Sequence, residues 1–234
     1  MSNTRQAGLS LLALVLCLVM FEWIPLDLWL QRYFFDGANQ RWIWSSAEPI
    51  SRFLLYDGPK WLLILFALGL VASCFFCKRA PTIRRYSRGI RIVVLSLILI
   101  PLTVSGLKAA TNVACPRALA EFGGKLSYDG VFGDAPLSRQ RCFPAGHASG
   151  GFALMSLVFL FNTAKNQRRA LYFAAATGWI MGAYKMLIGD HFLSHTIVTM
   201  LLAWLIINVV VIVETRLGYG RVGEAEDGRL LGGQ

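Results

Sequence analysis

Apolar residues gather along the chain in long runs, at about 8–26, 61–77, 89–107, 147–163, 170–188 and 196–213, separated by polar or aromatic stretches. Each run is close to the ~20 residues that a helix needs to cross a hydrocarbon core ~30 Å thick. The pattern predicts an all-α integral membrane bundle of six transmembrane helices. The run at 147–163 is the weakest, because its opening, "GHASGG", is small and polar. The first run follows Arg5 and has the look of a secretory signal, but it continues into "MFEWIPLDLWL" with no small-residue cleavage site, so a retained span is expected. No internal repeat interrupts the pattern. One membrane domain over 1–217 is expected, with outer loops at 27–60 and 108–146 and a polar tail, 218–234, expected to be disordered.

Composition agrees with the run pattern: 56% of residues are hydrophobic, 15% are charged, and the mean hydropathy is +0.53. The formal net charge of +10 would suit a nucleic-acid partner, but its placement does not. Arg5, the linker "CKRAPTIRRYSRGIR", "KNQRR" and the C-terminal arginines all fall on the same side of the six runs. Short connections dense in Lys and Arg mark the cytoplasmic face, so both termini are expected there. The basic balance therefore sets topology and meets anionic lipid, and no nucleic acid is expected as a partner.

The outer loops differ in character. Trp23, Trp29, Trp42, Trp44 and Trp61, with Tyr33, Phe34 and Phe35, form an aromatic belt of the kind found at the membrane–water boundary. Cys17, Cys74 and Cys77 lie in or at the ends of runs and read as inert apolar residues. Cys115 and Cys142 share the 108–146 loop, and in an oxidising compartment that placement suggests a disulfide. Closing such a loop stabilises by roughly 3–4 kcal/mol in the chain-entropy view.

The candidate chemistry collects at one membrane face. His147, His191 and His195 all fall at predicted outer ends of runs, beside Lys108, Arg117, Arg141 and Lys185. Ionisable groups at membrane depth are costly and usually functional. Imidazoles among fixed cations, with few acids, suit an anionic substrate and nucleophilic or proton-transfer work. In "GDHFLSHT", His191 and His195 stand one helical turn apart behind Asp190, which is also the spacing of a helical zinc site. That reading is disfavoured: the glutamate of H-E-x-x-H is missing, and a divalent cation would sit among positive charges. Neither a metal nor another cofactor is expected. In "FPAGHASG", small residues including Ala145 and Gly146 open a helix, whose free backbone N–H groups suit phosphate.

These residues, taken in order, resemble the type 2 phosphatidic acid phosphatase superfamily, six-span histidine phosphatases of membrane lipids. Its motifs are K-x6-R-P, P-S-G-H and S-R-x5-H-x3-D. Here they correspond to Lys108 with Pro116, to "PAGH" at Pro144–His147, and to Lys185-x5-His191-x3-His195. The departures are specific. Cys115 stands where the first motif has arginine, leaving Arg117 as the substitute, and Ala145 replaces serine. Tyr184 and Lys185 replace serine and arginine, and His195 replaces the final aspartate.

The resemblance implies that His191 attacks phosphorus and forms a phosphohistidine, and that His147 protonates the leaving alcohol and then activates water. Lys108, Arg117 and Lys185, with Arg141 and the backbone at Ala145 and Gly146, would hold the phosphate. Either His195 or Asp190 would orient His191. The implied function is metal-independent hydrolysis of a phosphomonoester or pyrophosphate on a membrane lipid, at the periplasmic leaflet of a bacterial inner membrane. The expected partners are the phosphorylated lipid and the bilayer. The alternatives are a lipid phosphotransferase and a catalytically degenerate protein that binds anionic lipid.

Overall fold

The computed structural model describes residues 2–76, 81–133 and 135–218. The expectations for Cys77 and for the tail beyond Gly218 fall outside the described residues. The described chain is helical apart from its connecting loops and one short hairpin. Helix α1 (Asn3–Trp23) starts on a Ser2 cap and is followed by a short α2 (Leu26–Arg32). A two-residue antiparallel hairpin, β1 (Phe35–Asp36) and β2 (Arg41–Trp42), comes next. Helix α3 (Pro49–Arg52) begins on the Glu48 carboxylate, which caps two backbone amides, and runs through a π-helical turn, Phe53–Asp57, into α4 (Gly58–Phe76). Then come α5 (Pro81–Arg85), α6 (Ser87–Thr111), α7 (Gly146–Ala153), α8 (Ala164–Leu187) and α9 (Leu193–Arg216).

The long helices lie antiparallel, and side-chain bonds mark both ends of the bundle. At one end, Arg91 of α6 pairs with Glu214 of α9 at 3.2 Å. At the other, Thr111 of α6 donates to the Phe143 carbonyl just before α7, at 3.0 Å. Helices α7 and α8 touch through glycine: a Cβ on Gly151 would sit 2.7 Å from the Gly178 Cα. The bundle core joins Ile100, Phe152, Ala174 and Ile207 from four helices. Leu12, Leu16, Leu62, Leu65, Leu102 and Phe173 instead face outward. An exterior of that kind suits hydrocarbon rather than water, and the protein is an integral membrane protein.

Among the described residues, four helical stretches have both the length and the hydropathy of a membrane span: Asn3–Trp23, Pro49–Phe75, Ser87–Ala118 and Leu193–Arg216. The remaining apolar runs of the sequence are also helical. The run expected at 147–163 forms the shorter helix Gly146–Leu160. Its second half, Leu154–Leu160, is 3₁₀. A 3₁₀ helix rises ~2.0 Å per residue against ~1.5 Å in an α-helix, so the piece reaches about 26 Å, more than its residue count suggests. Helix α8 is long enough, but Lys165, Arg168 and Arg169 in its first turns lower its mean hydropathy.

The loop after α6 hangs on two fixings. Asn112, left-handed at φ 46°, ends α6; its amide group donates to the Pro136 and Ser138 carbonyls, and its oxygen accepts from Gln140 and Arg141. Cys115 and Cys142 are joined by a disulfide. Cys17 is buried against Phe21, Val113, Phe143 and Val198.

Candidate active site

The turn between α8 and α9 carries Asp190 and His191 and gathers cations from other elements. Gly189, at φ +75°, lets the chain reverse there. The amides of Asp190 and His191 both donate to the Lys185 carbonyl, at 2.8 and 3.2 Å. The Trp42 ring covers Gly189 so closely that a Cβ could not fit. Arg117 joins from the loop after α6, its amide donating to the Gly189 carbonyl at 3.0 Å. Asp190 consequently lies between two cations, 2.7 Å from the Lys185 ammonium and 2.8 Å from the Arg117 guanidinium. Arg117 thus does reach the cluster, from two positions beyond the cysteine.

The second part of the site is the start of α7. Lys108, on the last turn of α6, lies against Gly146, where a Cβ would be 3.2 Å from its ammonium. His147 stacks on Tyr56 with ring centroids 3.7 Å apart and planes 5° apart. The Lys185 ammonium sits 4.1 Å from the centroid of the same Tyr56 ring, a cation–π contact. Tyr56 belongs to the π-helical turn before α4, and π-turns often carry function. A continuous set of contacts therefore runs from His147 through Tyr56 and Lys185 to Asp190 and its neighbour His191.

Ala145 does not fit its expected role. Its amide donates to the Thr199 hydroxyl at 2.8 Å and to the His195 carbonyl at 3.2 Å. The donor expected for phosphate is already used to tie the strap before α7 to α9. Arg141, next to Cys142, is exposed on the loop at left-handed φ 56°.

His191 and His195 are both buried, with ring centroids 5.7 Å apart. His195 is enclosed by Phe143 and Phe192, at 5.2 and 5.3 Å. Nε2 of His147 and Nδ1 of His191 and of His195 have no hydrogen-bond partner among the described residues. Buried polar atoms are rarely left so. Neither Asp190 nor His195 therefore holds Nδ1 of His191; Asp190 faces the cations and His195 sits in an aromatic cage. The Cys142 carbonyl lies beside the rings of both His191 and His195, and its own amide donates to the Val113 carbonyl at 3.0 Å. Burial, then His195, Lys108 and Lys185, push the His191 imidazole well below its ordinary pKa. It is neutral at pH 7, with a lone pair available for attack. Among the described residues, no three His, Cys, Asp or Glu side chains converge as metal ligands.

A cavity of about 370 Å³ opens beside His147 between α4, α6 and α7. Leu63, Ile64, Leu97 and Pro101 line it, with Lys60 among them.

The sequence model of the PAP2 superfamily matches residues 89–219, more than half of the chain. The protein belongs to the PAP2 superfamily. Members of this superfamily are phosphatases. No curated protein and no solved structure matches the chain significantly. The PAP2 match takes in every motif position, from Lys108 to His195, and starts after α5. Tyr56, Trp42 and the residues of α2 that touch the site come from outside it. Sequence reading missed these and Thr199, because only the fold brings them near. The aromatic density of 23–61 was the available signal, and it reads equally well as a membrane belt.

Proposed function

We propose that this PAP2 protein hydrolyses a phosphomonoester or pyrophosphate on a membrane lipid, without a metal, at the outer face of a bacterial inner membrane. The observation that carries the lipid reading is the apolar cavity beside His147, which opens between lipid-facing helices and suits an aliphatic tail. A lipid entering there would carry its leaving oxygen to His147 and its phosphorus toward His191. The six-pass topology is supported by the alternating helix directions and by the basic connections at the end opposite the histidines.

His191 attacks phosphorus and forms a phosphohistidine, while His147 gives a proton to the leaving group. Water activated by His147 then releases phosphate. Lys108, Lys185 and Arg117 hold the phosphate oxygens, and the Gly146 amide, at the start of α7, adds a backbone donor. A non-catalytic lipid binder is the second reading, favoured by the Ala145 amide already being used and by Asp190 occupying two of the cations.

Purified full-length protein, given phosphorylated lipids with chelator present, is expected to release phosphate, and His191→Ala to lose at least 100-fold of that rate. Transfer of phosphate to a second lipid would indicate a phosphotransferase. Binding with no turnover on any lipid would favour the binder.

A further inference from the structure

Helix α2 lies outside the part of the chain that matches the superfamily, yet two of its side chains reach the turn that carries His191. Helix α9 has no cap of its own: its N-cap residue is Phe192, which makes no side-chain capping bond. The carboxylate of Asp27 supplies the cap from another helix. Its Oδ1 accepts from the Ser194 amide at 2.9 Å, and its Oδ2 accepts from the Ser194 hydroxyl. A carboxylate at this place also meets the positive end of the α9 dipole. One turn along α2, on the same face, Gln31 Nε2 donates to the Met186 carbonyl at 2.8 Å, which ties the last turn of α8. Both side chains are almost fully buried, at 2% and 1% exposure. Leu28, also on α2, packs with Phe192 between them.

The two ties bracket the turn. Met186 lies five residues before His191, and Ser194 three residues after it. Asp190 stands between them, and the Lys185 carbonyl that receives both turn amides lies immediately before Met186. We propose that Asp27 and Gln31 are positioning residues: α2 clamps the end of α8 to the start of α9 and thereby fixes the direction of the His191 ring. In this site His191 lacks the carboxylate expected behind it, so its aim depends on the backbone of its own turn and on the Cys142 carbonyl beside its ring. Holding an anion in the dry junction of α2 and α9 costs stability, which is evident in the Asp27 pKa, raised by burial to about 6. The proposal rests on His191 being the nucleophile.

The test uses the full-length protein in detergent with four variants: Asp27→Ala, Asp27→Asn, Gln31→Ala and Ser194→Ala. For each, kcat, KM, the unfolding temperature and amide hydrogen exchange are measured. Asp27→Ala is expected to lower kcat about tenfold, with KM within twofold. It should speed exchange in 186–195 while exchange in α4 and α6 stays unchanged. Asp27→Asn keeps an oxygen for the Ser194 amide and should recover most of kcat; Gln31→Ala and Ser194→Ala should fall between.

An Asp27→Ala kcat within twofold of the unsubstituted protein overturns the proposal. So does a loss shared equally by Asp27→Asn and accompanied by faster exchange throughout. Should Asp27→Ala fail to fold, Ser194→Ala decides, and an unchanged kcat there overturns it. If the unsubstituted protein releases no phosphate, the enzymatic reading fails by itself. The exchange arm then still decides the clamp: unchanged exchange at 186–195 in Asp27→Ala would sink it.

Discussion

At the residue scale, the position left without an aspartate organises the site. The sequence offers His195 or Asp190 as the group behind His191, and the structure assigns them to other work. His195 is held between Phe143 and Phe192, and Asp190 neutralises Lys185 and Arg117. Two cations that would bind phosphate are thus already paired, Lys185 in a mostly buried setting and Arg117 in a half-exposed one. With Lys185 and Arg117 as the proposed phosphate holders, inorganic phosphate would have to compete with this internal carboxylate. Asp190→Asn is therefore expected to tighten competitive inhibition by phosphate several-fold, measured on steady-state lipid hydrolysis. An unchanged inhibition constant would show that the pairing does not limit access. The histidines were legible in the sequence because all three fall at predicted outer ends of apolar runs, beside Lys108 and Lys185. The use of the Ala145 amide was not, since its partner Thr199 lies 54 positions away.

At the element scale, the long helices followed from run length, whereas their internal geometry did not. The 3₁₀ half of the fourth run and the π-turn bearing Tyr56 depend on packing, not on hydrophobic period. Helix α2 reads in sequence as part of an aromatic belt, and only the fold shows Asp27 and Gln31 turned inward. Asp27 gives the element a measurable pH response. Its folded pKa of about 6 lies above the ordinary carboxylate value of 3.8, so the folded state binds the proton more tightly than the unfolded one. The resulting stability is complete below about pH 4 and is lost as pH rises through about 6, a loss of at most about 3 kcal/mol. Asp27→Asn cannot ionise and escapes this loss. Thermal unfolding in detergent at pH 5 and pH 7.5 is expected to show the variant gaining on the unsubstituted protein at the higher pH. A difference independent of pH would contradict the buried-carboxylate account.

At the scale of the whole molecule, an apolar exterior, a basic end and a histidine-bearing end make one polarised object. The basic end was readable from Lys and Arg density alone, because membrane insertion sorts charge by side. The opposite end was readable only in part. Its motif residues stand in order, but the strap that joins Cys115 to Cys142, the Trp42 cover on Gly189 and the cavity beside His147 arise from contacts between distant segments. The central claim is that a neutral His191, aimed by its turn and surrounded by cations, takes the phosphoryl group from a lipid. The most direct measurement is covalent trapping. Full-length protein is mixed with lipids carrying radiolabelled phosphate, with chelator present, quenched under alkaline conditions that preserve phosphohistidine, and mapped by peptide. Label is predicted on the peptide that carries His191, and its absence in His191→Ala. Phosphate release that proceeds with no labelled histidine and persists in His191→Ala would contradict the account.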